Sequence, residues 1–264
     1  MRRLASGGRA VQGAPCWVSL LTYDLKAAQL FYGELLGWDF RPGWQGEDRY
    51  TVAHVDGMAV AGLGRTAESA ACPVAWTVFF GAADVHEVAQ SCRENGATVG
   101  VGPLEYGKGR VAWASDPAGA GFALWEGDVS PAWRVERQEP GPVWLELRTR
   151  DAFDAARFYG AVFGWDAGGP VPYDVRFEDD RVVLRIGGRP VAGIFGGAVE
   201  TAPDPQVRTR WQTYFCVADV DDLVRQAAGL GGTVIAGPGT SPYGRVAVLR
   251  DPEGGMFGLA SLTR

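Results

Sequence analysis

The chain has 264 residues and a formal net charge of −6, with 47% hydrophobic and 21% charged residues. This length allows two domains of ordinary size, and the composition is typical of a soluble globular protein. Because the charge is acidic and no basic run is present, nucleic acid is not an expected partner. No apolar stretch approaches the roughly 20 residues that a membrane span needs, so we expect no membrane partner either.

The first 14 residues are basic but lack the apolar centre of a signal peptide, and we expect a disordered leader there. The four cysteines form no close pair in the sequence. They are Cys16, Cys72, Cys92 and Cys216. Such a distribution suits a reducing cytoplasm and disfavours a zinc site built on paired cysteines.

The first predicted helix begins after Asp24, whose carboxylate can accept hydrogen bonds from the amides of the first turn. Apolar residues follow at helical spacing, and Gly37 supplies the left-handed residue that ends a helix. The whole stretch recurs, because LLTYDLKAAQLFYGELLGW from Leu20 aligns without a gap with LRTRDAFDAARFYGAVFGW from Leu147. Asp24 and Asp151 therefore stand 127 positions apart and start equivalent helices of an internal repeat.

A short apolar run precedes each of these helices, at residues 16–22 and 143–149, and predicts a strand. After the first helix, two strands are predicted to join at an Asp56-Gly57 turn, a strong hairpin signal. The equivalent turn in the repeat is Gly187-Gly188. Each half of the chain thus opens with a strand, a helix and a strand pair, and we interpret this segment as a βαβββ unit.

A second unit of the same kind follows in each half. It starts with a strand and a helix from Trp76, and again from Trp211, and its last strand follows an Asp-Pro turn. These observations predict an α+β fold of four βαβββ units, paired into two open, curved, mixed-sheet domains with the helices on the outer face. The predicted organisation is a leader at 1–14, domains at 15–126 and 143–264, and a linker at 127–142.

These motifs resemble the vicinal oxygen chelate superfamily, which includes glyoxalase I, extradiol dioxygenases, and fosfomycin- and bleomycin-resistance proteins. The resemblance is carried by the Asp…Phe-Tyr…Gly-Trp helix, the Ala-Asp-Val helix start and the Asp-Pro…Gly turn. The two-domain form is similar to actinobacterial proteins described as hydroxylases or as glyoxalase-like, some from polyketide antibiotic pathways. Because this fold hosts unrelated activities, the resemblance implies the fold more strongly than the function.

The resemblance also implies a divalent metal, held by His or Gln on the first strand of each unit and by Glu on its last strand. The first-strand positions carried over to this chain are Trp17, Thr77, Trp144 and Gln212, and the last-strand positions are Gly62, Ala123, Gly193 and Gly258. Only Gln212 among them could ligate, whereas a divalent ion needs several N or O donors. We therefore expect no metal site and no cofactor.

Aromatic residues stand at or near the positions where metal ligands are implied. Strand alternation puts Trp125 on the face of Ala123, and Tyr214 on the face of Gln212. A cavity walled by indoles suits a flat, partly apolar ligand, although the same rings could equally fill a closed core. The predicted ligand-binding residues are Trp17, Ser19, His54, Thr77, Trp125, Trp144, Arg185, Gln212 and Tyr214.

Glu146 is the predicted catalytic residue if the protein is an enzyme. It follows Trp144 by two residues and shares its face, whereas the first half has Ser19 at the equivalent position. A carboxylate among indoles is either neutralised by a cation such as Arg185, which would brace the sheet, or shifted in pKa to become a usable acid or base.

Three classes of function are consistent with the sequence. The first is a metal-free, cytoplasmic binder of a small aromatic, polyketide- or antibiotic-like metabolite, present as a monomer or homodimer. The second is an enzyme of the superfamily, a lyase or oxidoreductase acting on such a metabolite. The third is a scaffold with filled cavities. We predict the first, with the enzyme as the alternative.

Overall fold

The computed structural model describes residues 8–43, 49–66, 73–130, 133, 135, 141–165, 171–178, 181–197, 208–241 and 244–261. The described part of the first half contains β1 (Gly8–Arg9), β2 (Pro15–Thr22), α1 (Leu25–Leu36), β3 (Asp39–Pro42), β4 (Tyr50–Val55), β5 (Met58–Arg65), β6 (Ala75–Gly81), α2 (Val85–Glu94), β7 (Thr98–Tyr106), β8 (Gly109–Ser115), β9 (Gly121–Glu126) and β10 (Asp128–Val129). The second half contains β11 (Pro142–Thr149), α3 (Ala152–Phe163), β12 (Tyr173–Glu178), β13 (Arg181–Ile186), β14 (Arg189–Gly196), β15 (Arg210–Cys216), α4 (Val220–Gly229), β16 (Thr233–Ser241), β17 (Gly244–Arg250) and β18 (Met256–Ser261). None of these helices is long and apolar enough to cross a membrane.

Each half forms one mixed sheet of eight strands. The strand orders are β3-β4-β5-β2-β6-β9-β8-β7 and β12-β13-β14-β11-β15-β18-β17-β16. At the centre of the first sheet, β2 pairs parallel with β5 and antiparallel with β6, and β11 pairs in the same way with β14 and β15. The two βαβββ units of each half therefore join through their first strands, and the predicted α+β fold of four paired units is confirmed.

The local signals in the sequence account for the helices and hairpins. The Asp24 carboxylate accepts hydrogen bonds from the amides of residues 26 and 27, and Gly37 ends α1 with a φ of 66°. Asp151 begins α3 in the same way. At the first hairpin Asp56 and Gly57 both have positive φ, 50° and 78°, as a tight turn between antiparallel strands requires.

The largest hydrophobic core extends across both halves, on the helix side of each sheet. Trp76 of β6 packs against Phe215 of β15 with ring centroids 5.0 Å apart, and Phe80 packs against Trp211 at 5.3 Å. The opposite face of each sheet carries a small separate cluster. We call that opposite face the pocket face.

Buried hydrogen bonds also connect the two halves. The Tyr32 hydroxyl on α1 donates to Asp251 Oδ2 at 2.9 Å and accepts from Trp76 Nε1 at 2.9 Å. The second half provides the equivalent bond to the first, because the Tyr159 hydroxyl on α3 donates to Asp116 Oδ2 at 3.0 Å. Both aspartates belong to the Asp-Pro turns, so these turns hold the halves together as well as leading into the last strands.

The segment before β2 differs from the expectation of a disordered leader at 1–14. Strand β1 pairs with β10, Trp165 Nε1 donates to the Gly13 carbonyl at 3.0 Å, and the Tyr173 hydroxyl donates to the Gln12 carbonyl. Residues 8–14 are thus part of the fold, because distant residues satisfy their backbone groups. Residues 1–7 and half of the predicted linker at 127–142 lie outside the described residues.

Candidate functional site

The pocket face of the first sheet contains a cavity of about 220 Å³, which we call the aromatic pocket. It is lined by Cys16, Trp17, Tyr50, Val52, Phe79, Tyr106, Trp125, Asp128, Val129 and Ser130. Strand alternation accounts for the position of Trp17 in this lining. Val18 and Leu20 of β2 point into the core on the helix side, so Trp17, at the alternate position, faces the cavity. The structure therefore brings Trp17 and Trp125, two of the predicted ligand-binding residues, into one cavity.

Hydrogen bonds hold the walls of the aromatic pocket in place. Trp17 Nε1 donates to the Tyr50 hydroxyl at 2.9 Å, and Trp125 Nε1 donates to the Asp128 carbonyl at 3.2 Å. Trp17 also packs against Trp133, with ring centroids 5.8 Å apart. Burial raises the pKa of Tyr50, although hydrogen bonds with Ser19 and Trp17 act in the opposite direction, so the phenol is neutral at pH 7.

Glycines at the implied metal-ligand positions leave room for aromatic rings. A Cβ at Gly62 would overlap the Tyr50 hydroxyl, and a Cβ at Gly258 would overlap the Tyr214 ring. At Gly193 it would lie 2.6 Å from the Trp144 ring. An aromatic ring therefore occupies the space that a ligating Glu side chain would need at each of these three positions.

The residues present do not fit the divalent metal that the fold family implies. Ala123, the fourth last-strand position, is buried beside Phe79, its partner in the pairing of β6 with β9. Across the part of the chain that the structure describes, no three His, Cys, Asp or Glu side chains form a group that could hold a metal ion. Of the implied positions only Thr77 and Gln212 carry a side-chain oxygen that could ligate, and they lie in different halves. A single neutral hydroxyl or amide does not hold a divalent ion.

The pocket face of the second sheet differs from that of the first at equivalent positions. Trp144 and Tyr214 lie opposite each other on β11 and β15, and both are buried in a small core with Val183 and Val248. Trp144 thus fills space within the second half, whereas Trp17 lines a cavity. The role of Trp144 in ligand binding stays a prediction.

Glu146 is 5% exposed and is bound by two arginines. Its Oε1 lies 2.5 Å from Arg148 Nε, and its Oε2 lies 3.5 Å from Arg181 Nη1 and 3.5 Å from Trp144 Nε1. The sequence suggested Arg185 as the cation that neutralises Glu146, and this suggestion is wrong. The Arg185 guanidinium instead binds both oxygens of Glu178, at 2.5 and 2.6 Å. The pairing of β13 with β14 shifts register just before Arg185, and such a shift changes the direction of the side chain.

Three other predicted ligand-binding residues lie outside the lining of the aromatic pocket. Ser19 donates to the Gly62 carbonyl at 3.1 Å, and Thr77 faces Ser19 across β2 and β6. His54 Nδ1 lies 3.0 Å from the Val52 carbonyl. Sequence reasoning missed Tyr50, Phe79 and Tyr106, although Phe79 is two residues beyond Thr77 and could have been found by strand alternation.

Two βαβββ units paired through their first strands define the vicinal oxygen chelate fold, and this chain contains that arrangement twice. The model of the Glyoxalase-like domain family matches residues 144–260. The chain belongs to the glyoxalase-like family, since two proteins of similar length are related to it throughout. CFP32 of Mycobacterium tuberculosis, named as a candidate glyoxylase, is 34% identical over 252 residues, which cover 93% of this chain and 94% of that protein. The anthracycline biosynthesis protein DnrV of Streptomyces peucetius is 35% identical over 274 aligned positions, covering 96% and 95%.

Solved structures show the same fold at low sequence identity. The Mn(II)-bound glyoxalase from Novosphingobium aromaticivorans superimposes with a TM-score of 0.60 at 20% identity, over 96% of this chain and 83% of that one. Homoprotocatechuate 2,3-dioxygenase from Brevibacterium fuscum, in complex with 3,4-dihydroxyphenylacetate, gives a TM-score of 0.61 at 12% identity, over 100% and 84%. At these identities the likeness concerns the fold alone.

Proposed function

We propose that this chain binds a small planar aromatic metabolite in the aromatic pocket, without a metal ion. The observation that carries the proposal is the set of five aromatic side chains around one cavity of about 220 Å³. Ligand pockets usually measure about 300–1,000 Å³, so this one suits a small ligand or the leading rings of a larger flat one. Each ring that stacks on an aromatic wall contributes roughly 0.5–1.5 kcal/mol beyond the burial of its area.

The class of ligand is supported by the chemistry of the lining and by the relatives. Asp128 and Ser130 add polar groups to a lining that is otherwise mostly aromatic and aliphatic. Such a lining suits a phenol or quinone better than an aliphatic acid. DnrV, which is related along nearly the whole chain, is named for anthracycline biosynthesis, and anthracyclines contain fused planar rings. We therefore propose a polyketide- or antibiotic-like aromatic ligand.

The alternative, an enzyme acting on such a metabolite, has less support from the described residues. Burial strongly raises the pKa of the Cys16 thiol, so this pocket residue stays protonated and is a poor nucleophile. Glu146, the predicted acid or base, belongs to the other half and is held by Arg148 and Arg181. Binding therefore accounts for the aromatic pocket better than turnover does.

A pair of matched variants tests the proposal. Trp17→Ala removes a wall of the aromatic pocket, whereas Trp144→Ala removes the equivalent indole of the other half. We expect hydroxyanthraquinones and naphthols, titrated by tryptophan fluorescence, to bind wild type and Trp144→Ala alike. Binding to Trp17→Ala should be weaker by about 1–3 kcal/mol, the loss typical of an aromatic anchor. If wild type binds no member of the panel, or if both variants bind like wild type, the proposal fails.

A further inference from the structure

Two arginines face each other on the pocket face of the second sheet. Arg148 of β11 and Arg210 of β15 are direct partners across the antiparallel pair, and Glu146 and Gln212 form the next pair on the same face. Like charges directly opposite each other destabilise a sheet. Two guanidinium groups in this arrangement therefore need a compensating charge.

The compensation that the described residues provide is incomplete. Glu146 binds Arg148 and Arg181, whereas Arg210 donates only to neutral oxygens, the Gln212 side chain at 3.0 and 3.2 Å and the Arg208 carbonyl at 3.3 Å. Burial lowers the pKa of Arg210 to about 10, repulsion from Arg148 and Arg250 adds to the effect, and the Glu146 carboxylate opposes it. Arg210 is thus a partly buried cation that forms no direct ion pair with a carboxylate of the described residues.

A second donor on this face also lacks an acceptor. Gln212 is 1% exposed, and its Oε1 is occupied by Arg210. Its Nε2 is buried and forms no hydrogen bond with any described residue. A buried amide hydrogen without an acceptor costs about 1–3 kcal/mol, so its retention calls for an explanation.

The first half shows that the fold does not require these charges. At the equivalent positions of β2 and β6, Leu21 faces Ala75 and Ser19 faces Thr77, and none of these four side chains is charged. The same architecture is built without arginines, a buried carboxylate or an unsatisfied amide. The fold alone therefore does not account for the polar set of the second half.

We infer that the pocket face of the second sheet binds an anionic oxygen group of a small molecule, a carboxylate or a phosphate ester, between Arg148 and Arg210. Gln212 Nε2 supplies a further donor to the same group. Guanidinium groups bind such anions in a bidentate manner. The Arg148 and Arg181 guanidinium carbons lie 5.2 and 5.3 Å from the centre of the Phe195 ring, which orients these cations by cation–π contact. This site is separate from the aromatic pocket of the first half.

Calorimetric titration of the full chain at low ionic strength tests the inference, with benzoate and phenyl phosphate as probes and benzamide as the neutral analogue. We expect at least one anion to bind wild type saturably and benzamide not to bind at this site. The stronger of the two anions identifies the group that the site prefers. Arg210→Ala, which introduces the residue of the first half, should weaken anion binding by about tenfold or more. Arg157→Ala, at an exposed arginine of α3, is the matched control for loss of one charge and should bind like wild type.

The melting temperature of the ligand-free variants separates a binding role from a structural one. Removing Arg210 relieves its repulsion with Arg148, so the melting temperature of Arg210→Ala should be equal to or higher than that of wild type. The double variant Glu146→Ser with Arg148→Leu reproduces the first half and should also lose anion binding while remaining folded. The inference is overturned if neither anion binds wild type, if Arg210→Ala keeps wild-type affinity, or if Arg210→Ala melts several degrees lower.

Discussion

At the scale of single residues, glycine decides where the aromatic rings of each pocket face lie. Gly62 and Gly193 hold equivalent positions, yet the ring packed against the first comes from Tyr50 and the ring packed against the second from Trp144. In the first half, Trp17 consequently remains at the edge of a cavity and donates to Tyr50. In the second half, Trp144 covers the glycine itself, so the same residue type at the same repeat position has two different roles.

Glu146 is a brace of the second sheet in this structure, and Glu146→Gln tests that role. The substitution leaves Arg148 and Arg181 without their shared carboxylate, so we expect the free energy of unfolding to fall by about 2–4 kcal/mol in urea denaturation. Glu105→Gln is a suitable control, because Glu105 is an exposed partner of Arg110 and should change stability by less than about 1 kcal/mol. A Glu146→Gln protein with wild-type stability and lost conversion of a metabolite would instead show that Glu146 is catalytic.

At the scale of the elements, each Asp-Pro turn meets the start of a helix in the other half, and these two junctions between the halves are built differently. The Glu253 carboxylate accepts hydrogen bonds from Tyr23 N at 3.1 Å and Asp24 N at 3.0 Å, and it also contacts the Thr22 hydroxyl. The equivalent residue 135 positions earlier is Ala118. Ala118 lines a groove of about 540 Å³ together with Thr149, Arg150 and Asp151. One junction is thus filled by a carboxylate, and the other is open.

This difference between the two junctions predicts different changes in the free energy of unfolding for a substitution at each of them. Glu253→Ala removes the acceptor of two backbone amides, so we expect the free energy of unfolding to fall by about 1–3 kcal/mol. Ala118→Glu places a carboxylate at the start of α3 and should raise stability or leave it unchanged. Denaturation curves of both proteins provide the measurement, and equal midpoints for Glu253→Ala and wild type would contradict this account of the junction.

The Asp-Pro turns predict a dependence of stability on pH. Burial raises the pKa of Asp251 above its ordinary value, although hydrogen bonds from the Gly255 and Glu253 amides and from Tyr32 act in the opposite direction. A carboxyl group with a higher pKa in the folded state stabilises the fold fully below its unfolded pKa, and this contribution is lost as the pH rises through the folded pKa. Asp251→Asn does not titrate at this position. The stability of wild type relative to Asp251→Asn should therefore decrease as the pH rises above about 4, the ordinary aspartate pKa, and a constant difference would contradict the prediction.

The sequence predicted those elements whose signals are local or repeated. Asp24 and Gly37 mark the ends of α1, and alternation along β2 and β9 placed Trp17 and Trp125 on one face. Contacts that depend on register between distant strands could not be predicted. The direction of Arg185 depends on a register shift between β13 and β14, and the order of residues 8–14 depends on pairing with β10, more than a hundred residues away.

At the scale of the whole molecule, two copies of one fold share a core and have different pocket faces. The helix sides of both sheets pack together, and the tyrosine–aspartate bonds cross between the halves in both directions. Because the shared core provides the stability, each pocket face is free to differ. The first carries an aromatic pocket, and the second carries a cluster of arginines around one carboxylate.

We propose above that the aromatic pocket binds its ligand without a metal ion. The most direct test is a fluorescence titration of chelator-treated full-length protein with neutral planar aromatics, accompanied by elemental analysis of the same sample before and after treatment. We predict saturable binding with one site per chain, unchanged by the chelator, in a protein that contains no stoichiometric Mn, Fe, Ni or Zn. A stoichiometric metal whose removal abolishes binding would contradict the account.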